Sequence, residues 1–466
     1  MDPLTLTAAD LAAAAAGRVV LGDAAVPIGR IVIDSRVVGA GDFFAAIKGE
    51  RFDGHQFVRD AIASGAIGAL VEDVPDLQGA GTPIVVQVRD TVRALQDAAR
   101  DVRRRSGARV VAITGSAGKT TTKEVAAELL SSRYRVFRNK GNLNNHIGLP
   151  LSLLELRSRP EIAVVELGMN HPGEIRTLVG IAEPDVRVWT NVGDAHLGFF
   201  ESADAIADAK GEILEQATAS SVLVANANDS RVMARARGFA GRVVTFGIAT
   251  TADVAATDVQ HLGLDGVAAH VRTPAGDAEI TTPLLGLGNL SNVLAATAVA
   301  TDFGVPVSEI VERAARLRPA THRGELLRLP GGITLIDDSY NSSPAALRQA
   351  LQTLAAATGC ARRVAVLGEM LELGAHAEHL HAEAGRMAAA SALDLLITVG
   401  GAAARTLAAA AIAAGLPASK VLAVATREEA ADLALTRMRP GDLVLVKGSR
   451  GIGTDLVVDR LKAEFA

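Results

Sequence analysis

Short, mainly apolar runs recur along this chain and alternate with segments whose leucines keep helical spacing. RVVAITG (109–115), AVVELG (163–168), VRVW (186–189) and RVAVLGEM (363–370) are examples. A strand buried on both faces loses the apolar/polar alternation of a half-exposed one, so such runs between helices predict α/β domains with parallel sheets. Three stretches of different texture follow. The first, residues 1–107, carries the strands GRIVIDS and PIVVQV and the turn-rich segment GAGDFFAAIKGERFDGHQF. It closes on an amphipathic helix, TVRALQDAARDVRRR, with Ser106 and Gly107 as its end and linker. The second, residues 108–318, opens on a strand, a glycine-rich turn and a helix, ARVVAITGSAGKTTTKEVAAELL, and Pro319 marks its end. In the third, residues 319–466, the strands GITLIDDS, RRVAVLGE, LDLLITVG and DLVLVKGS alternate with alanine-rich helices, which predicts a Rossmann-like open sheet.

Length agrees with several domains, because 466 residues exceed what one hydrophobic core supports. Composition mainly excludes. A single cysteine, Cys360, permits no internal disulfide and no CxxC metal site, and packing is its expected role. A formal charge of −5 gives no general nucleic-acid surface, and Arg103, Arg104 and Arg105 read as a solvated helix face. Apolar stretches are broken by charge or glycine well before the roughly 20 residues of a spanning helix, and the start, MDPLTLTAADL, lacks a basic segment followed by an apolar one. A cytoplasmic protein without membrane insertion is expected.

The strongest chemical signal is Gly115-Ser116-Ala117-Gly118-Lys119-Thr120-Thr121, directly after an apolar strand and before a helix. Backbone N–H groups of a glycine-rich turn and a helix N-terminus attract anions, the lysine adds charge near terminal phosphates, and a threonine hydroxyl can ligate Mg²⁺. Ile113 stands where the wider GxxxxGK[ST] pattern has its first glycine, leaving the narrower TGxxGKT form. Glu166 and His196 each follow an apolar run, at strand ends where open α/β sheets bind ligands. Either alone also suits an ordinary satisfied polar group. Lys210, in IADAKGEIL, reads on spacing alone as a surface lysine.

Taken together, TGSAGKTTTKE, NLNNHIGLP (142–150), ELGMNHPGE, TNVGDAHLGFF and AKGEI resemble the central domain of the Mur ligase family. The resemblance implies an ATP-dependent amide ligase of bacterial cell-wall synthesis that uses ATP and one or two Mg²⁺ ions. It implies that Lys210 is carbamylated, giving an anionic oxygen ligand suited to a hard cation. Thr120, Glu166 and His196 would be the other metal ligands, and Lys119, His196, Lys210 and Arg323 the catalytic set. Asn145 would contact substrate.

The likeness extends over nearly the whole chain. Asp34-Ser35-Arg36, Gly41-Asp42-Phe43-Phe44 and Asp53-Gly54-His55 are similar to the uridine-nucleotide domain of the later-acting members, so Ser35 and Arg36 are expected on the UDP group. Read alone, DSR is a strand end and DGH equally a turn. GLGNLSN (286–292) corresponds to an adenine-contacting GxHNxxN segment, with Gly288 in place of the histidine and Asn289 as the implied contact. In the third stretch Arg323 (THRGEL) would reach ATP phosphates, Asp338 the ribose and Asn341 the incoming dipeptide. Ser342 and Ser343 depart from the commonest residues there. LGEMLELG and VKGSRG complete the pattern, with Lys447 a partner for a substrate carboxylate.

Among the members, the first-stretch motifs and the absence of a DNPR segment argue for the one that joins D-alanyl-D-alanine to a UDP-N-acetylmuramoyl-tripeptide, working as a monomer. The third-residue ligase, a folate polyglutamate ligase and a regulatory protein that has lost ligation are the alternatives; Lys210, Arg323, Asp338 and Lys447 together favour the enzyme. If residues 319–466 swing to close the site, X-ray scattering with all ligands bound will show a smaller radius of gyration than without them. An unchanged curve would count against such closure.

Overall fold

The structure, a computed structural model, describes residues 2–49, 52–77, 82–193 and 197–465. His196 lies outside the described residues. Strands pair into three sheets. The first has five strands in the order Arg18–Leu21, Ile84–Gln87, Gly68–Val71, Phe43–Ala45, Ile31–Val32, parallel except for the antiparallel edge Arg18–Leu21. The second has nine, with Val222–Asn226, Val186–Trp189, Arg109–Thr114, Ile162–Glu166 and Val136–Arg138 as consecutive neighbours. The third has six, in the order Glu325–Arg328, Thr334–Asp338, Asp442–Lys447, Arg362–Gly368, Leu395–Val399, Val421–Val424. By compactness the chain divides into two units, residues 1–112, 134–187 and 212–221 in one, and 113–133, 188–211 and 222–466 in the other.

Residues of the third sheet show why its strands read as unbroken apolar runs. Val364, Val366, Val444 and Val446 face one buried cluster, while Ala365, Leu367, Leu443 and Leu445 face another on the opposite side. With helices over both faces, neither set of side chains can be polar. Five of the six strands are parallel and Glu325–Arg328 is an antiparallel edge.

Two findings differ from the sequence reading. The nine-stranded sheet carries an antiparallel extension, in which Val254–His261, Val267–Thr273 and Gly276–Thr282 pair in succession. Val267–Thr273 alternates buried with more exposed positions, as a strand covered on one face does. Arg103 is also no solvated residue. Helix Thr91–Ser106 is capped by Asp90, which accepts from Arg93 N, and ends on Gly107 in the left-handed region. In its last turn Arg103, 14% exposed, donates to the carbonyls of Ala182 and Glu183 and pairs with Asp185. The chain segment after a neighbouring helix supplies those acceptors, and no local pattern announces them.

Leu445 is fully buried in the third sheet. Leu445→Ala should cost about 2–5 kcal/mol through lost contacts and a residual cavity. Urea unfolding of the full chain, followed through the transition that reports the C-terminal sheet, checks this; a loss below about 0.5 kcal/mol would mean that this layer repacks freely.

Candidate functional site

Strand Arg109–Thr114 runs into a turn at 115–118 and then helix Lys119–Leu130. Gly115 has φ 149°, and a Cβ there would lie 1.9 Å from Thr190 Oγ1. Gly118, at the helix N-cap with φ 82°, meets Asn292 Oδ1 in the same way, at 2.2 Å. Both positions thus need glycine for conformation and for space. Asn292 also accepts from Thr122 Oγ1 at 3.2 Å, which ties the first turns of the helix to helix Gly286–Asp302.

The loop amides have unequal roles. Ser116 N donates to the Asn191 carbonyl at 3.0 Å and Ala117 N to Asn191 Oδ1 at 2.9 Å, so these two groups set the shape of the turn. Lys119 folds back, with Nζ 2.7 Å from the Gly115 carbonyl and 3.4 Å from that of Ser116. Thr120 and Thr121 stand half-buried in the first helical turn. Backbone N–H groups at a helix N-terminus, a lysine and hydroxyls form a polyphosphate-binding arrangement.

Glu166 ends strand Ile162–Glu166 and is buried. Its carboxylate accepts from Asn144 Nδ2 at 2.8 Å, and its amide donates to Asn139 Oδ1 at 3.1 Å. Neither asparagine was singled out from sequence, although Asn144 falls inside NLNNHIGLP. Asn145 is exposed, and its Oδ1 accepts from Gly148 N at the entry to helix Gly148–Leu154. Lys210 is not the surface lysine that its spacing suggested. It is 1% exposed, in the last turn of helix Ala203–Gly211.

At the strand ends of the third sheet, Lys447 Nζ donates to Asp338 Oδ2 at 2.6 Å and to the Asn341 carbonyl at 3.0 Å. Burial pushes the Asp338 carboxyl upward, against the pull of the Lys447 ammonium. Lys447 is 2% exposed, so this ion pair must open before the ammonium meets a substrate carboxylate. Asn341 is exposed, with Oδ1 accepting from Ser342 N. Arg323 lies over the Tyr340 ring, 4.1 Å from its centroid, and Arg450 donates to the Tyr340 hydroxyl at 3.0 Å. Stacking fixes a planar guanidinium while leaving its N–H edge available. His322 beside it takes a left-handed backbone, φ 61°, and its Nδ1 lies 2.7 Å from the buried Asp337 carboxylate. Tyr340 and His322 sit within motifs already noticed, but only the geometry singles them out.

Asn289 turns inward here, donating to the Leu285 carbonyl and accepting from Asn292 Nδ2. Above Gly288 lies Gln349, whose Oε1 would be 2.2 Å from a Cβ at that position. In the first sheet Arg36 is 87% exposed but held bidentate by Asp34, at 2.8 and 2.6 Å, and Ser35 is half-buried beside it. Hydrogen bonding from Arg36 holds the Asp34 carboxyl down at about 2. DGH opens the short 3-10 helix Gly54–Phe57, with Asp53 as its N-cap. Asp53 accepts from His55 N, His55 Nδ1 faces Asp53, and His55 Nε2 accepts from Glu72 N.

Three family descriptions match in succession: "Mur ligase family, catalytic domain" over residues 27–115, "Mur ligase middle domain" over 113–300 and "Mur ligase, glutamate ligase domain" over 322–450. A UDP-N-acetylmuramoyl-tripeptide--D-alanyl-D-alanine ligase of Bacillus subtilis is 33% identical over 435 residues, 92% of each chain. That of Escherichia coli is 37% identical over 372 residues, 79% of this chain and 81% of its own. Among solved structures, MurF from Acinetobacter baumannii superposes with a TM-score of 0.89 at 33% identity, covering 99% of this chain and 100% of its own. A MurF ligase of Thermotoga maritima in complex with ADP gives 0.81 at 30% identity, covering 94% and 97%.

The contact at Gly115 generates a direct expectation. Gly115→Ala places a methyl group against Thr190 and forces the turn open, so ADP affinity measured by calorimetry should fall at least tenfold, whereas unchanged affinity would show that the turn tolerates the displacement.

Proposed function

This chain belongs to the Mur ligase family, and we infer that it is the ATP-dependent ligase that adds D-alanyl-D-alanine to a UDP-N-acetylmuramoyl-tripeptide in peptidoglycan synthesis. The observation that carries this reading is the braced phosphate loop at 115–118, with Lys119 at the head of its helix, in a chain matched nearly end to end by ligases of that name. We propose that residues 1–107 hold the UDP-sugar end through Ser35 and Arg36, residues 108–318 hold ATP, and residues 319–466 hold the dipeptide near Asn341 and Lys447. Such an enzyme works as a monomer in the bacterial cytoplasm, where its nucleotide substrates are made; no helix among the described residues is long and apolar enough to cross a membrane.

Chemically, the γ-phosphoryl group moves from ATP to the tripeptide's terminal carboxylate. A carboxylate oxygen–phosphorus bond forms, the bond to the β-phosphate oxygen breaks, and ADP is released. The dipeptide amine attacks the acyl carbon, gives up its proton and displaces inorganic phosphate as the amide forms. No protein nucleophile is needed, so the residues bind, orient and neutralise charge. Lys119 would exchange the Gly115 carbonyl for a phosphate oxygen. Arg323, held over the Tyr340 ring, would bind phosphate through its N–H edge. Asp338 would face the ribose, and Asn289 the adenine.

Mg²⁺ fits the donors present. Among the described residues no group of three or more His, Cys, Asp and Glu stands together to hold a metal. A Mg²⁺ ion that accompanies a nucleotide needs less, one or two carboxylates with phosphate oxygens and water. Thr120, Glu166, His196 and Lys210 as its carbamate would hold one or two such ions, which when bound neutralise phosphate charge. An ammonium has no lone pair to offer, whereas a carbamate on Lys210 would supply the anionic oxygens that suit Mg²⁺.

Phosphate release from ATP, with the pentapeptide followed by mass, should require tripeptide and dipeptide together. Turnover with one amino acid in place of the dipeptide would instead point to the third-residue ligase. For Lys210, ¹³C NMR after equilibration with labelled bicarbonate should show a carbamate resonance that Lys210→Gln removes, along with most activity. A spectrum without that resonance, from fully active enzyme, would exclude carbamylation.

A further inference from the structure

The phosphate loop is not held by its own glycines alone. Asn191, immediately after Thr190 on the segment following strand Val186–Trp189, grips it at three points. The Asn191 carbonyl accepts from Ser116 N, its Oδ1 accepts from Ala117 N at 2.9 Å, and its Nδ2 donates to the Ala117 carbonyl at 3.1 Å. Just beyond, Ser116 Oγ accepts from Gly193 N at 2.9 Å and donates to its carbonyl at 3.2 Å. One short segment, 190–193, therefore acts as the mould of the loop.

That mould is fixed from its other side. Strand Val222–Asn226 ends in Asn226, whose Nδ2 donates to the Thr190 carbonyl at 2.7 Å. Three residues later Asp229 accepts from Val192 N at 2.7 Å through Oδ2, while its Oδ1 accepts from Arg231 N and Val232 N, capping helix Ser230–Ala236. Two backbone amides at a helix N-terminus orient the carboxylate, and its second oxygen is left aimed at Val192. A charge-assisted hydrogen bond of this kind is about twice as strong as a neutral one.

We propose that Asn191 is a positioning residue for nucleotide binding, and that Asp229 and Asn226 act through it, so that a relay across neighbouring strand ends sets ATP affinity from residues that do not touch ATP. This rests on the loop at 115–121 being the nucleotide-phosphate site. With the mould in place, binding does not have to order the turn, and the amides at the helix N-terminus already face one direction. Without it, the turn must be ordered each time ATP binds, which weakens nucleotide affinity selectively.

The test uses the full chain with Asn191→Ala, Asn191→Asp, Asp229→Ala and Asp229→Asn, reading ADP dissociation constants by calorimetry and KM for all three substrates. Asn191→Ala and Asp229→Ala should each raise the ADP dissociation constant and the KM for ATP by roughly tenfold, the equivalent of one or two hydrogen bonds. KM for the UDP-linked tripeptide and for the dipeptide should stay within about twofold. Asp229→Asn keeps an oxygen acceptor and should recover part of the loss. Asn191→Asp keeps the acceptor for Ala117 N but cannot donate to the Ala117 carbonyl, so it should fall between wild type and Asn191→Ala. A general rise in every KM, or unchanged ADP affinity in the alanine variants, overturns the proposal. Lys119→Ala separates the two levels: if it also leaves ADP binding unchanged, the loop is not the phosphate site, whereas weakened binding in Lys119→Ala alone leaves that reading intact and removes only the relay.

Discussion

Space at one point governs the phosphate loop. Thr190 occupies the volume that any side chain at Gly115 would need, and its hydroxyl uses that position to donate to the Ala117 carbonyl at 2.7 Å. The backbone of one strand end thus lies directly against the side chain of the next, and the turn has no freedom to relax outward. From this contact follows the start of helix Lys119–Leu130, with Gly118 pressed against Asn292. The placement of Lys119 over the turn's carbonyls follows in turn. A loop held this tightly has little disorder to lose when a polyanion arrives, which is the energetic advantage of a preformed site.

Sequence reading succeeded wherever the chemistry is local in the chain. A strand, a glycine-rich turn and a helix are neighbours along it, so the loop and its lysine could be named from residues 109–130 alone. The apolar runs of the third sheet were legible for the same reason, because burial on both faces leaves its mark on every residue of a strand. Contacts made across the fold were not legible. Asn191 lies 74 positions from Ala117 in the chain, and nothing near either residue announces the pair. Arg103 and Lys210 were misread as solvated, since a helix pattern indicates which residues share a face but cannot indicate that a carbonyl-rich turn or a closed layer will cover a charged one. DGH stayed ambiguous because a capped turn and a binding segment draw on the same residue types. Its hydrogen bonds run inward, and Glu72, which supplies the closing N–H, is 17 positions from His55.

Several motif residues pair with each other here. Asp338 with Lys447, Asp34 with Arg36 and Asp337 with His322 are examples. An ionised side chain near a sheet end is costly to bury without a partner, and pairing offsets that cost. The partners differ in how readily they release. Arg36 is exposed, so water and salt weaken its pair. Lys447 is enclosed, and removing it from Asp338 would leave a carboxylate facing low-dielectric surroundings.

The same comparison separates the two lysines of the site. Lys119 rests on the neutral carbonyls of Gly115 and Ser116, whereas Lys447 has an ionised carboxylate besides the Asn341 carbonyl. Both sets of bonds are charge-assisted, but an ammonium beside a carboxylate adds the attraction of two opposite full charges, which low surrounding dielectric strengthens. An incoming anion gains little by drawing Lys447 away unless it also neutralises Asp338. Lys447 thereby holds Asp338 and the Asn341 backbone still, so that this part of the rim of the third sheet keeps one shape.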